Sequence, residues 1–145
     1  MLSRIKQQVK ELGIEIQYME MISNGYFGIE DDDPIVFIND NLNEIDTALA
    51  LLHETAHFLN KDCEKCVTNH FQNDNLEYEA NKYMIHEVLK ALDNEHDFTP
   101  RTNYHLIIEN LDLPYHLDEV IIDEFYNLII NKFNISDDDD WENYQ

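Results

Sequence analysis

Residues 53–57 read His-Glu-Thr-Ala-His, and this pentapeptide is the segment whose residue types and spacing point most directly to chemistry. Two histidines four positions apart project from the same face of a helix, where two neutral imidazoles can hold one Zn²⁺. Glu54 lies between them in sequence and can reach a metal-bound water and accept its proton. His53 and His57 are therefore candidate metal ligands, and Glu54 is a candidate general base.

A catalytic zinc site also needs a third protein ligand and one open position. Residues 77–81 read Glu-Tyr-Glu-Ala-Asn and offer two alternatives on a predicted helix. Glu77 and Asn81 share one face, whereas Glu79 points about 160° away from Glu77 and lies near His86. One face thus offers a carboxylate with an amide, and the other a carboxylate with an imidazole, so the spacing alone leaves both open.

A second metal site is conceivable at Cys63 and Cys66, which have the Cys-x-x-Cys spacing of half a zinc site. A closed structural site needs four ligands, and His70 is the other metal-binding side chain close by in sequence. The favoured interpretation is a polar loop with two reduced thiols.

Attack of a metal-activated water on a carbonyl group also benefits from a hydrogen-bond donor that stabilises the tetrahedral oxyanion. Several tyrosines and one histidine have suitable groups, and nothing in the sequence selects among them. The candidates are Tyr83, Tyr104, Tyr115 and His116.

Apolar periodicity predicts the elements that position these residues. The motif lies near the end of an unusually apolar helix over residues 44–59, which Asn41 or Asn43 can cap. The predicted fold class is α+β, with a small three-stranded sheet packed against a helical core and a mostly helical C-terminal half. The other predicted helices cover residues 2–12, 75–92, 101–112 and 114–133, the strands 14–18, 26–29 and 35–38, and the loops 60–74 and 93–100.

The chain is strongly acidic, with 31 Asp and Glu against 9 Lys and Arg among 145 residues, a formal net charge of −22. We expect one domain over residues 1–135 and a flexible acidic tail over residues 136–145. The negative charge would repel nucleic acid and an anionic membrane surface, and it would attract a basic protein. No apolar run is long enough to cross a bilayer and residues 1–15 have no signal-peptide core, which predicts a cytoplasmic protein.

The His-Glu-x-x-His motif, followed about twenty residues later by Glu-x-Glu-Ala-Asn, resembles the ImmA/IrrE family of metallopeptidases. The extended segment at residues 35–39, about a dozen residues before the motif, and the apolar helix that leads into the motif strengthen the resemblance, which covers about residues 14–90. Members of this family are small cytoplasmic proteases, often from phages and mobile elements. They typically cleave helix-turn-helix repressors and so switch on silenced genes.

The resemblance implies a zincin-like helical core and a role for each motif residue. It implies that His53, His57 and Glu77 bind a single Zn²⁺ and that Glu54 is the general base. Asn81 would accept a hydrogen bond from a ligand imidazole and fix its orientation. The chain departs from many relatives at residues 55–56, where Thr and Ala replace Leu or Ile followed by Gly, and residues 101–145 match no motif.

The sequence therefore predicts a zinc-dependent endopeptidase, with a metal-activated water and the Glu54 base, that cleaves a helix-turn-helix repressor or a similar regulator. The alternative is a non-catalytic acidic anti-repressor that binds a basic DNA-binding protein. The two hypotheses differ at Glu54, because a protein that acts by binding alone does not need a general base.

Overall fold

The computed structural model describes residues 1–60 and 70–135, without the side chains of residues 70–73. Two predictions lie outside the described residues. One is the possible metal site at Cys63 and Cys66, and the other is the acidic tail over residues 136–145.

The first part of the chain forms the predicted three-stranded sheet. Strand β3 is central, with β1 parallel to it on one side and β2 antiparallel to it on the other. This position fits the continuous apolar run of β3, in which Ile35, Val36 and Ile38 are buried. The strands are β1 (Glu15–Met19), β2 (Gly25–Glu30) and β3 (Asp33–Asn39).

Helices make up most of the remaining described residues, which confirms the α+β class and the mostly helical C-terminal half. A short 3-10 turn, Tyr115–Leu117, forms the start of the helix predicted from Pro114 onward. The helices are α1 (Leu2–Glu11), α2 (Glu44–Leu59), α3 (His70–His96), α4 (Tyr104–Leu111) and α5 (Asp118–Phe133).

Helix α2 packs against α1 and against strands β2 and β3. The side chain of Asn43 caps it, because its Oδ1 accepts a hydrogen bond from the N–H of Asp46 at 2.8 Å. Its apolar residues, including Ala48, Leu51 and Leu52, are buried. Burial on several sides fixes this helix, and the motif at its C-terminal end is fixed with it.

Helix α3 is longer than predicted at both ends, so parts of the two predicted loops, residues 70–74 and 93–96, are helical. Apolar periodicity underestimates this helix because its ends are polar. At the C-terminal end, the carboxylate of Asp93 accepts a hydrogen bond from the N–H of Phe98 at 2.8 Å. The helix ends before Asp97, whose φ of 52° lies in the left-handed region.

The chain divides into two compact units, Met1–Val88 and Leu89–Gln145, with the division inside α3. The expectation of a single domain over residues 1–135 stays a prediction. In the second unit, the ring of the fully buried Phe125 lies 5.8 Å from that of Phe98 and 6.0 Å from that of Tyr104. Among the described residues, no helix combines the length and the hydropathy that a membrane span requires.

Candidate metal centre

Helix α2 presents His53 and His57 one turn apart, as their spacing predicts. Their ring centroids are 4.9 Å apart and the rings are nearly perpendicular, at 83°. Their side chains are 19% and 15% exposed. Two imidazoles are thus held side by side in a partly buried position that solvent still reaches.

Helix α3 brings the carboxylate of Glu77 to both imidazoles. Its Oε2 lies 3.0 Å from Nε2 of His53, and its Oε1 lies 3.1 Å from Nε2 of His57. Glu79 and His86, the alternative pair on the helix, are exposed. The structure therefore brings Glu77 to the two histidines, the one of the two glutamates that the family resemblance indicates.

The three side chains could hold a metal ion. Each offers one ligand atom, and these atoms all lie within 4.8 Å of one another. Two imidazole nitrogens and one carboxylate oxygen form a donor set found in catalytic zinc sites, which leave a further position open. Because Nε2 of each histidine is the atom that faces Glu77, an imidazole that binds a metal there carries its proton on Nδ1.

Glu54 is half-buried beside this group. Burial raises the pKa of its carboxyl above the ordinary value, and the negative charge of Glu77 acts in the same direction. His53, His57 and a hydrogen bond from the main-chain N–H of Phe27 oppose that rise in pKa. A carboxylate with a raised pKa is a better proton acceptor than an ordinary surface carboxylate.

The two residues inside the motif that depart from many relatives are both buried, at 1% exposure for Thr55 and for Ala56. The hydroxyl of Thr55 donates a hydrogen bond to the carbonyl of Leu51 at 2.6 Å, so its polar atom is satisfied inside the core. Small side chains at these positions are therefore compatible with the packing of α2.

Asn81 lies one helical turn after Glu77 and is half-buried. A role for it in orienting a ligand imidazole stays a prediction.

The structure leaves all four candidates for the oxyanion donor open. Tyr83 lies in α3 within the first unit, and burial together with Glu87 raises its pKa to about 12, so its hydroxyl keeps its proton at neutral pH. Tyr104, Tyr115 and His116 belong to the second unit.

Sequence reasoning missed the contribution of strand β2 to the surroundings of Glu54. The second predicted strand covers residues 26–29, but β2 begins one residue earlier, at Gly25. A Cβ added to Gly25 would lie 3.1 Å from Cγ of Glu54. The ring of Phe27 packs against that of Phe58 in α2, with centroids 5.9 Å apart. The periodicity of β2 gives no information on which helix side chain it contacts, so no signal in the sequence predicts these contacts.

Comparison with known proteins gives one finding on the family. Residues 9–116, more than half of the chain, match the family described as Peptidase_M78, IrrE N-terminal-like domain. The matched region contains all the residues of the candidate metal centre. No curated protein and no solved structure gives a significant match.

Proposed function

The chain belongs to the IrrE N-terminal-like domain family of peptidases, and from this premise we propose that it is a zinc-dependent endopeptidase. The observation that carries the proposal is the convergence of His53, His57 and Glu77, whose ligand atoms lie within 4.8 Å of one another. Family membership supports a metallopeptidase, and zinc is proposed because two imidazoles and one carboxylate are the protein ligands of catalytic zinc sites in peptidases.

In the proposed mechanism, Nε2 of His53, Nε2 of His57 and the carboxylate of Glu77 hold the metal. A bound Zn²⁺ supplies Lewis-acid polarisation of the scissile carbonyl and lowers the pKa of water. Two neutral imidazoles and one carboxylate leave a site with a single negative charge, so a divalent cation bound there keeps a net positive charge. The partial exposure of all three side chains leaves room for a peptide to approach.

The proposed role of Glu54 is that of general base and then general acid. Its carboxylate accepts a proton from the attacking water and delivers it to the nitrogen of the departing amine. Its position next to His53 in α2 keeps it at the same end of the helix as the ligands. The burial that raises its pKa also strengthens its ability to accept that proton.

The proposed substrate is a helix-turn-helix repressor or a similar DNA-binding regulator. The net charge of −22 supports a substrate with a basic surface, because opposite charge accelerates encounter and opposes binding to nucleic acid itself. The proposed regulation of transcription, and an origin in a phage or another mobile element, rest on the resemblance to the ImmA/IrrE family.

A cleavage assay tests this proposal. The zinc-loaded chain is incubated with a panel of purified helix-turn-helix repressors, and new N-termini are identified by mass spectrometry. We expect cleavage by wild type and a loss of about 10²- to 10⁴-fold in Glu54→Gln, the usual contribution of a general base. Glu79→Gln is the matched control and should cleave like wild type, because Glu79 is exposed and lies away from the donor set.

The acidic charge also favours one alternative, a non-catalytic anti-repressor that occupies a basic DNA-binding surface. In a reporter assay for repression, Glu54→Gln would then relieve repression as well as wild type, without any new N-terminus. Equal cleavage by wild type and Glu54→Gln would instead overturn the role proposed for Glu54.

A further inference from the structure

Strand β2 leaves no room for a side chain between Gly25 and Glu54. A Cβ built on Gly25 would lie 3.1 Å from Cγ of Glu54, 3.3 Å from Cδ1 of Ile38 and 3.3 Å from the carbonyl oxygen of Phe37. The φ of Gly25 lies outside the left-handed region, so the backbone itself tolerates alanine. The need for glycine at this position is therefore a matter of space.

The register of the sheet shows which main-chain N–H groups of β2 point away from β3. The N–H of Asn39 donates to the carbonyl of Asn24 at 2.9 Å, which makes their pair a hydrogen-bonded one. Hydrogen-bonded pairs alternate along an antiparallel ladder, so Phe27 and Ile29 direct their N–H groups away from β3. The pairing of Ile29 with Pro34 agrees, because proline has no N–H to contribute.

The outward N–H of Phe27 has a partner across this edge. It donates a hydrogen bond to the carboxylate of Glu54. One strand thus affects Glu54 in two ways. Gly25 leaves space for its Cγ, and the main-chain N–H of Phe27 donates a hydrogen bond to its carboxylate.

We propose that Gly25 is a positioning residue for Glu54, because its lack of a side chain lets Glu54 lie against β2 where the N–H of Phe27 orients the carboxylate. This inference rests on the proposed function for the role of Glu54 as the base, but the contact itself does not depend on metal or substrate.

The neighbours of Gly25 decide which group must move when a methyl group is added. Ile38 is fully buried and the Phe37 carbonyl belongs to the central strand, so both are held in place. The side chain of Glu54 is half-buried and can rotate toward solvent. Gly25→Ala should therefore displace Glu54 and break its hydrogen bond with Phe27.

Gly28→Ala is a matched control in the same strand. Its added Cβ would meet Cε1 of Tyr26 at 3.2 Å, and that ring is 47% exposed and can give way. Gly28 lies on the opposite face of the strand from Gly25, since the two are three residues apart. Both substitutions are the same chemical change in the same strand, and only one is directed at Glu54.

The test is amide NMR on the ¹⁵N-labelled full chain, which needs no substrate. We expect the Phe27 amide resonance to move in Gly25→Ala toward its position in Glu54→Ala, with hydrogen exchange at least about tenfold faster. It should stay in place in Gly28→Ala. A Phe27 amide that does not respond to Gly25→Ala, or does not respond to Glu54→Ala, would overturn the proposal.

A double-mutant cycle separates the effect on Glu54 from general damage. In the Glu54→Ala background, which lacks Cγ, adding Gly25→Ala should leave the Phe27 amide unchanged and lower the melting temperature less than it does in wild type. Equal effects in both backgrounds would mean that Gly25 acts through Ile38 or Phe37 alone. If Gly25→Ala does not fold, the same cycle is made in the Ile38→Val background, which removes Cδ1.

Activity provides the functional readout once a cleaved substrate is known. Gly25→Ala should lower kcat by roughly 10- to 100-fold, as expected for a misplaced catalytic group, with KM within about twofold and zinc per chain unchanged. A loss of zinc, or an equal loss in Gly28→Ala, would contradict a positioning role. Failure of the proposed function is distinguishable, because wild type itself would then cleave nothing while the amide results stand.

Discussion

The first and second units each gather several polar groups at one point, but only the second supplies a permanent cation. In the second unit, the ammonium of Lys132 lies 2.8 Å from Oδ1 of Asp93, 2.8 Å from Oδ1 of Asp97 and 2.7 Å from the carbonyl oxygen of Phe98. In the first unit, Glu77 lies between two imidazoles, which carry a charge only when they are protonated.

This difference separates a structural cluster from a candidate metal-binding site. The two carboxylates and the carbonyl oxygen around Lys132 already have its ammonium as a shared partner, so we expect them to bind a dissolved metal ion weakly. The donors around Glu77 converge from two helices, and the described ion-pair partners of Glu77 are the imidazoles of His53 and His57. A divalent metal would satisfy all three donors at once. The comparison therefore predicts that zinc binds at the Glu77 cluster in the first unit and not at the Lys132 cluster in the second.

The largest expected effect is on metal affinity. Glu77→Gln should weaken zinc binding by more than about 100-fold, because loss of a direct ligand costs more than loss of an outer hydrogen-bond partner. Glu79→Gln should bind zinc within about twofold of wild type. Competition titration against a chelating dye measures both. An equal loss of zinc affinity in the two variants would contradict the prediction that Glu77, and not Glu79, is a metal ligand.

The next effect is the coupling of zinc binding to stability. At a free zinc concentration of about 100 times Kd, the free energy of unfolding of wild type should rise by about 2.7 kcal/mol. His57→Ala should show no such rise, whereas Lys132→Met should respond like wild type. Urea unfolding with zinc and with chelator checks this. A rise of the same size in His57→Ala would place the stabilising metal elsewhere.

A smaller effect is expected from the cluster in the second unit. Lys132→Met keeps a long unbranched side chain and removes its charge, so it should cost about 1 kcal/mol of stability or less, since Asp97 is 91% exposed and its pairing is screened. Its zinc affinity should equal that of wild type. Chemical denaturation and the dye titration measure the two quantities, and a change in zinc affinity would show that the two clusters are not independent.

The smallest effect concerns pH. Hydrogen bonds from Lys132 to Asp93 and Asp97 raise its pKa above the ordinary 10.5. Because the folded-state pKa is the higher one, the contribution of Lys132 is fully present below its unfolded pKa and is lost as pH rises through the folded value. The stability difference between wild type and Lys132→Met should thus be constant from pH 7 to about pH 9.5 and shrink above that. A difference that grows with pH would contradict the assignment.

The parts of the site that lie within one helix could be predicted from the sequence. The helical repeat places His53 and His57 on one face, and a buried helix around them follows from local apolar periodicity. The role of Glu77 could not be predicted in this way, because spacing along α3 does not show which of Glu77 and Glu79 faces α2. The choice between them came from the resemblance to a family.

Features that depend on contacts between elements could not be predicted. An alternating pattern shows that β1, β2 and β3 are strands, but it does not give their order or place β2 next to Glu54. The predicted C-terminal end of α3 was wrong because a polar residue there has a partner distant in sequence: Asp93 accepts a hydrogen bond from Lys132, 39 positions away.

The most direct test of the central claim is the metal content of wild type and His57→Ala, both purified without chelator and measured by elemental mass spectrometry. We predict about one zinc per chain in wild type and almost none in His57→Ala. Wild type without zinc, even after zinc is added back, would contradict the claim, as would an equal zinc content in His57→Ala.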